Sequence, residues 1–382
     1  MTERPYQICT VCVMDTSDPE ISFDESGRCN HCRDFELLLG TIWFPNDEGE
    51  FRLASLIERV KTEGRGKAYD CVLGLSGGID SSYLALKAFE WGLRPLVVHV
   101  DGGWNSELAV QNIERIVKHC GYELHTLVVN WEDMKELQLS YLRSAVSNQD
   151  VPQDHAFFAG LYNFATENKV RYVLNGGNAA TEAIFPRSWH GPAMDAKNLK
   201  AIHKAYGTRP LTDFPLISFS ELYFWYPVVK RMTLLRPLNL MPYSKEQAVT
   251  ELEQIGWRSY PRKHGESLFT KFFQNYYLPT KFGYDKRRPH LSSLVASGSL
   301  TREAALERLA EPLYAEEELR RDRQYICRKL RVSEAEFADL VARPIHHYTD
   351  FDNWERRRAA VKSVLDIVAR IRGKRINLAL RT

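Results

Sequence analysis

One stretch limits the fold of this chain more than any other: LGLSGGIDSSY, Leu73 to Tyr83. The preceding run, Tyr69 to Leu75, is apolar and short, as a buried strand would be. After it, Tyr83, Leu84, Ala88 and Phe89 recur near helical spacing until Gly92 stops them. Between the two, Gly77 and Gly78 permit a tight turn and close approach of a ligand to the backbone. A strand, a glycine turn and a helix start aim free N–H groups and the positive end of a helix dipole at one point, which suits an anion. Ser76, Ser81 and Ser82 add hydroxyl donors. The nucleotide P-loop, GxxxxGK[ST], is a different device, because it places a lysine beside its last Ser/Thr. This turn has Asp80 and no lysine, and a metal ion would offset that negative charge.

Around this turn, strand-like and helix-like segments alternate. RPLVVHVDGG reads as a second strand, SELAVQNIERIVKHCGY as a helix, ELHTLVVN as a third strand, AFFAGLYNFATENK as a helix and RYVLNGGNAATE as a fourth strand. The alternation predicts an α/β fold: a parallel sheet covered by helices, with ligands at the carboxyl ends of its strands. SGGIDSS, HVDGG and NGGNAATE all fall at such ends. His99 and Asp101 are thereby placed for adenosine, and Asn175 to Glu182, with Gly176 and Gly177, for phosphates, magnesium or the reacting group.

Four of the seven cysteines form two C-x-x-C knuckles, Cys9/Cys12 and Cys29/Cys32. Each knuckle brings two thiolates to one side of a turn, and two knuckles supply a tetrahedral S4 site. Four protein ligands leave no open coordination position, so the expected zinc is structural. Disulfides and an iron–sulfur cluster are the rival readings. PEISFDESGR, between the knuckles, offers the short β segment and glycine turn of a zinc ribbon, with His31 a bystander. Cys71, Cys120 and Cys327 are scattered, as buried core residues are.

The 382 residues exceed one ordinary core. They divide into a ribbon (1–45), a nucleotide lobe (46–185) and a substrate-binding, mainly helical C-terminal region (186–382). A net charge of +2 argues against a dedicated nucleic-acid binder. Neither a signal peptide nor a spanning apolar run is visible, so the expected location is cytoplasmic. The aromatic, proline-rich stretches FPRSWHGPAMDAKNLKAIHKAYG and LISFSELYFWYPVVKRM suit a substrate region, a homo-oligomer surface or plain core equally. Arg262, Lys263, His264, Lys271, Lys281, Lys286, Arg287, Arg288 and His290 cluster among aromatics, a mixture that fits a nucleotide-sugar diphosphate as well as a basic helical face. From Glu355 to Thr382, nine Lys/Arg stand against two Asp/Glu; the tail reads as a solvated helix, with an anionic partner or membrane surface as the alternative.

LSGGIDSSY resembles the SGGxDS loop of the PP-loop ATP pyrophosphatases, the adenine nucleotide alpha-hydrolase-like superfamily, which cleave ATP between the α- and β-phosphates. The ribbon CTVCVMDTSDPEISFDESGRCNHC, this loop and the block ESLFTKFFQNYYLPTKFGYDKRRPHLS together resemble one family within it. That family is the N-acetyl sugar amidotransferases of bacterial surface-polysaccharide (LPS O-antigen) biosynthesis, of the WbpG and PseA type. The resemblance implies conversion of the acetamido group of an N-acetylated nucleotide sugar to an acetamidino group, with ATP, Mg2+ and ammonia. It implies that Ser76, Gly77, Gly78, Ser81 and Ser82 hold pyrophosphate, that Asp80 organises magnesium, and that Lys271 or Arg288 balances charge in the transition state. Thr2 stands where an N-terminal-nucleophile glutaminase needs cysteine, and no cysteine sits on a glycine-flanked elbow. The family precedent for the ammonia source is a separate glutaminase with a cyclase-like companion subunit. The alternative within the superfamily is a zinc-ribbon tRNA thiolase, though no C-x-x-C partners the loop here.

Overall fold

The computed structural model describes residues 4–260 and 265–372. Thr2, Arg262, Lys263, His264 and the tail beyond 372 lie outside the described residues.

The apolar runs become strands. β1 (Cys71–Gly74), β2 (Pro95–Asp101), β3 (Leu124–Val128), β4 (Tyr172–Leu174) and β5 (Thr233–Leu235) form one sheet in the order β3-β2-β1-β4-β5. Every pair is parallel, with Leu73 flanked by Val97 on one side and Leu174 on the other. Alternate side chains point to opposite faces of a strand. Leu73, Val97 and Leu174 accordingly join one core with the helices Ile79–Glu90 and Glu107–Cys120. Val72, Leu96, Val98 and Val173 join another with the helix Val151–Glu167. Helices bury both faces, as a parallel sheet requires. The chain lays β2 and β3 to one side of β1, then returns to lay β4 and β5 on the other. That reversal opens a crevice outside the carboxyl ends of β1 and β4.

Two features differ from the reading of the sequence. The sheet takes its fifth strand from Thr233–Leu235, so the nucleotide lobe does not end at residue 185. A three-residue strand after an aromatic, proline-rich stretch carries no periodic signal. The helix Trp131–Ser144 was also not legible, because Asp133, Lys135, Glu136 and Gln138 are buried along with its apolar residues. No polar face remains to mark its period. Asp133 carries its charge inside because Arg209 (2.8 Å) and the Thr212 (2.9 Å) and Asp213 (2.6 Å) N–H groups all donate to it. Burial opposes that charge, but these bonds outweigh it and hold the carboxyl below its usual range.

The C-terminal region is mainly helical, and its aromatic run packs inward: Phe269, Phe272, Phe273 and Tyr277 form a core with Trp104, Ile326 and Phe337. At the other end of the chain, residues 4–29 form a ribbon of isolated antiparallel bridges, Ile8–Asp15 and Phe23–Cys29, with Gly27 at φ 78° in the turn. No helix among the described residues is long and apolar enough to cross a membrane.

Candidate active site and metal centre

The turn after β1 runs into the helix Ile79–Glu90 through Gly78, and no side chain caps that helix. Asn46, Ser106, Asn130, Asn178, Asp195, Ser244 and Ser267 cap other helices, while Val151–Glu167 and Glu316–Leu330 also lack a side-chain cap. An uncapped N-terminus at the sheet's crevice leaves backbone donors for a ligand. The serines preorganise the turn: Ser76 Oγ lies 3.0 Å from Ser81 Oγ, and the Gly78 N–H donates to Ser76 Oγ at 3.3 Å. Ser82 is turned inward, buried against Trp257, whose Nε1–H donates to its hydroxyl at 3.2 Å.

The turn after β4 closes on the same point. A Cβ at Gly176 would lie 2.8 Å from the Asp80 carbonyl carbon and oxygen, so only glycine permits the two turns to touch. Asn178 donates to Asp80 Oδ1 at 3.0 Å and accepts the Thr181 N–H at 3.0 Å, tying both helix starts together. Tyr243 donates to the same Asp80 oxygen at 2.5 Å. Burial, and then Asp80 itself, push this phenol up, so it stays a donor.

A third segment covers the loop. Trp257 Nε1–H (3.3 Å) and the Tyr260 hydroxyl (2.8 Å) both donate to the Gly77 carbonyl, and the Glu266 carboxylate would lie 3.5 Å from a Cβ at Gly78. Beside it, the helix Val151–Glu167 begins at the carboxyl end of β2 and carries Asp150 and Asp154 on one face of its first turn. Asp150 is buried and accepts from Gln153 (3.0 Å) and Thr270 (3.2 Å). Burial and the neighbouring Asp154 push its carboxyl well up. Asp154 is half-buried. Burial, opposed by Lys286 and reinforced by Glu182, pushes it up to about 7. Lys286 donates to His190 Nε2 at 2.9 Å and lies 4.1 Å over the Phe185 ring. The SGGIDSS turn, the carboxyls of Asp80 and Asp154 and the Lys286 ammonium thus come from separate segments that meet outside the carboxyl ends of the strands.

The four N-terminal cysteines converge as a metal site would need. All are buried, and their sulfurs lie within 4.8 Å of one another, with Cys12–Cys29 at 3.6 Å and Cys9–Cys32 at 3.9 Å. A tetrahedral Zn–S distance of about 2.3 Å sets S···S edges of about 3.8 Å. Backbone N–H groups of Val11, Cys12 and Cys29 point at Cys9 Sγ at 3.3–3.4 Å, which suits a thiolate. The donor set fits one zinc ion with no open position. His31 is not in the set; it pairs with Asp18 at 2.7 Å.

The structure gives several expected site residues other partners. Arg288 binds Asp15 at 3.0 Å and the Val13 carbonyl at 2.9 Å, so it secures the ribbon. Lys271 is held between Glu318 (3.0 Å) and Asp322 (2.6 Å) within the C-terminal core. Neither placement matches the expected transition-state role, because spacing alone could not say which cations had acidic partners inside the C-terminal region. Within the described part of that basic block, Lys286 is electrostatically linked to Asp154. His99 donates from Nδ1 to the Leu75 carbonyl at 2.9 Å and accepts from Asn105 at 2.9 Å, while Asp101 accepts from Asn105 (2.9 Å) and the Gly103 N–H (2.7 Å). In this state both brace the turn after β2. Cys71 and Cys120 are buried, and burial pushes the Cys120 thiol up to about 12 and that of Cys71 higher still. That is the reverse of what thiolate chemistry needs. Tyr243, Trp257 and Tyr260 were missed because aromatic residues carry no local site signal. Asp150 and Asp154 had one: two carboxylates four residues apart around Pro152, where a helix begins.

Residues 266–364 match the family model described as LPS biosynthesis protein WbpG-like, C-terminal domain. Uncharacterized protein MJ1599 of Methanocaldococcus jannaschii is 29% identical over 133 residues, 34% of this chain; the match spans 45% of that relative's length. Among solved structures, the NH3-dependent NAD synthetase of Campylobacter jejuni, in complex with nitrate, is similar over 40% of this chain and 72% of its own, at 12% identity and a TM-score of 0.28. NMN synthetase of Francisella tularensis is similar over 60% and 92%, at 16% identity and a TM-score of 0.31. The chain thus carries a WbpG-like C-terminal domain, set against a parallel sheet whose crevice holds the SGGIDSS turn.

Proposed function

We propose that this chain is an ATP-dependent amidotransferase that converts the acetamido group of an N-acetylated nucleotide sugar to an acetamidino group, in LPS O-antigen assembly. The observation that carries the proposal is the uncapped SGGIDSS turn at the crevice, overhung by the first residue of the WbpG-like domain, Glu266. Amide resonance makes an acetamide a poor electrophile and its oxygen the nucleophilic end. That oxygen attacks the α-phosphorus of ATP, pyrophosphate leaves, and an imidoyl adenylate forms. Ammonia then adds to the activated carbon, and AMP departs with the former amide oxygen. Ser76, Ser81 and the N–H groups of the turn receive the leaving pyrophosphate. Magnesium would enter with ATP beside Asp80, since it is commonly held by one or two carboxylates plus substrate phosphates. Asp154, titrating near the working pH at about 7, is suited to take the proton that attacking ammonia sheds. Ammonia comes from a separate glutaminase with a cyclase-like companion, because the intermediate must be shielded from water.

The test supplies the purified chain with ATP, Mg2+, ammonium and N-acetylated nucleotide sugars. AMP, pyrophosphate and a product about one mass unit lighter than the substrate are expected, since N–H replaces O. ADP and orthophosphate would remove the assignment of Ser76 to Ser82. AMP release triggered by tRNA and not by a sugar would transfer the chain to the thiolases, against the inert buried Cys71 and Cys120.

A further inference from the structure

Around the segment that leads into β5, one surface has a composition that neither the core nor the proposed chemistry uses. Arg231 and Met232 lead directly into the amino end of β5, and the helix Glu221–Val229 just before them is wound with i→i+5 bonds. Leu222 and Tyr226 are its buried anchors. Phe224 (58% exposed), Trp225 (43%), Val228 (52%) and Val229 (45%) stand in solvent. In a helix of this pitch, residues four and five apart are neighbours, so the four side chains make one apolar strip. Such a strip is costly in water unless something covers it.

The strip is bordered by cations. Lys230 Nζ lies 5.1 Å from the Trp225 ring, and Arg231 follows it, exposed. Phe219 packs on Tyr223 at 4.5 Å and on Trp354 at 5.2 Å, which brings the start of the last helix, Glu355–Arg372, alongside. That helix opens with Arg356, Arg357 and Arg358 in its first turn, all exposed. Three cations there repel one another and oppose the helix dipole, an arrangement that costs stability. Among the described residues none of the three forms an ion pair. Arg357, Lys197 and Lys200 also edge a cavity of about 370 Å³ with Phe219 and Trp354 in its wall. The acids nearby are engaged: Glu221 accepts from Ser218 N–H at 2.7 Å, Glu355 from Tyr348 at 2.5 Å, and Asp352 pairs with Lys197 at 3.4 Å.

We propose that this face docks the protein on an anionic phospholipid bilayer, with Phe224, Trp225, Val228 and Val229 entering the interface and the surrounding Lys and Arg meeting headgroup phosphates. Aromatic and branched apolar side chains ringed by long cationic ones are the composition of an interfacial anchor.

The test is co-sedimentation of the full chain with vesicles of phosphatidylcholine alone or containing about 30% phosphatidylglycerol. At least about tenfold more protein should pellet with the anionic vesicles, and raising salt from about 0.1 to 0.5 M should release most of it. Phe224→Glu with Trp225→Glu should abolish pelleting while the melting temperature stays within about 2 °C of wild type, as expected for exposed positions. Arg356→Ala with Arg357→Ala should weaken it several-fold, and Lys230→Glu is a third surface variant that leaves the apolar strip intact. Equal pelleting with neutral and anionic vesicles, no pelleting, or unchanged pelleting of the variants would overturn the proposal. So would sedimentation velocity showing a wild-type dimer that the Phe224/Trp225 variant dissolves, because a second copy would then cover the strip.

Discussion

Adjacent glycines in the SGGIDSS turn have different reasons to be glycine, and alanine substitutions separate them. Gly77 has φ +82°, and a Cβ there would lie 2.7 Å from the Ala109 carbonyl oxygen and 3.2 Å from Ala109 Cα. Those are backbone atoms of the helix Glu107–Cys120, which is fixed by its Ser106 cap and by the Ser106 N–H bond to the Glu266 carbonyl at 2.8 Å. Gly77→Ala therefore combines a left-handed backbone, about 1–2 kcal/mol, with an overpacked contact, about 1–3 kcal/mol. At about 2.1 cal/mol/K of unfolding entropy per residue, a loss of about 2–5 kcal/mol in this 382-residue chain should lower the melting temperature by roughly 2–6 °C. Gly78 has φ −68°, and its added Cβ would meet only Ser76 Oγ at 3.4 Å and the Glu266 carboxylate at 3.5 Å. Gly78→Ala should melt within about 1 °C of wild type. Its methyl group occupies the gap between the turn and Glu266, so ATP affinity measured by calorimetry should fall at least about tenfold, or about 1.4 kcal/mol. A Gly77→Ala protein with wild-type melting would refute the strain argument. A Gly78→Ala protein that binds ATP normally would refute the placing of the phosphates in that gap.

Other perturbations probe the remaining parts. Metal analysis should find one zinc per chain, and Cys29→Ser should lose it and lower the melting temperature, because Val13 of the ribbon packs on Leu291 and Leu294. Asp80→Ala should leave folding intact and abolish AMP formation; retained AMP release would remove Asp80 from the site. Asp154→Asn should spare substrate-dependent pyrophosphate exchange but cut amidine formation about 100-fold or more, which separates adenylation from ammonia transfer. The same variant reports on linkage. Burial raises the folded carboxyl from 3.8 to about 7, so the stability it contributes is present at low pH and lost as pH rises towards about 7. The melting temperature of Asp154→Asn relative to wild type should therefore climb between pH 5 and pH 8, and a flat difference would show that Asp154 is not shifted.

What could be read from the sequence was what local physics dictates. The strand–turn–helix at Leu73 to Tyr83 is visible because apolar run, glycine pair and helical spacing occupy adjacent residues, and the four cysteines because their spacing alone brings thiols together. The reading weakened wherever a side chain's meaning depends on distant partners. Lys271 and Arg288 look alike in a basic block, and only the fold gives one to Glu318 and Asp322 and the other to Asp15. Tyr243 becomes a site residue only because β5 brings the following segment back beside Asp80. The helix Trp131–Ser144 was hidden by its own burial, since polar residues satisfied inside the protein erase the amphipathic period.

The same logic explains how an uncapped helix start survives at the crevice. Its N–H groups gain nothing from a cap, yet the Gly77 carbonyl receives Trp257 and Tyr260, and Asp80 receives Asn178 and Tyr243. The loop is therefore held from outside through its acceptors, while its own Ser76 and Gly78 N–H groups turn inward to the Ser81 and Ser76 hydroxyls. Each clamp comes from outside the loop: Asn178 from the turn after β4, Tyr243 from beyond β5, and Trp257 and Tyr260 from the segment leading to the WbpG-like domain. A turn held this rigidly suits the proposed leaving pyrophosphate, because groups already oriented cost no reorganisation when charge develops. Loosening any one clamp should then reduce the adenylation rate more than it reduces ATP affinity.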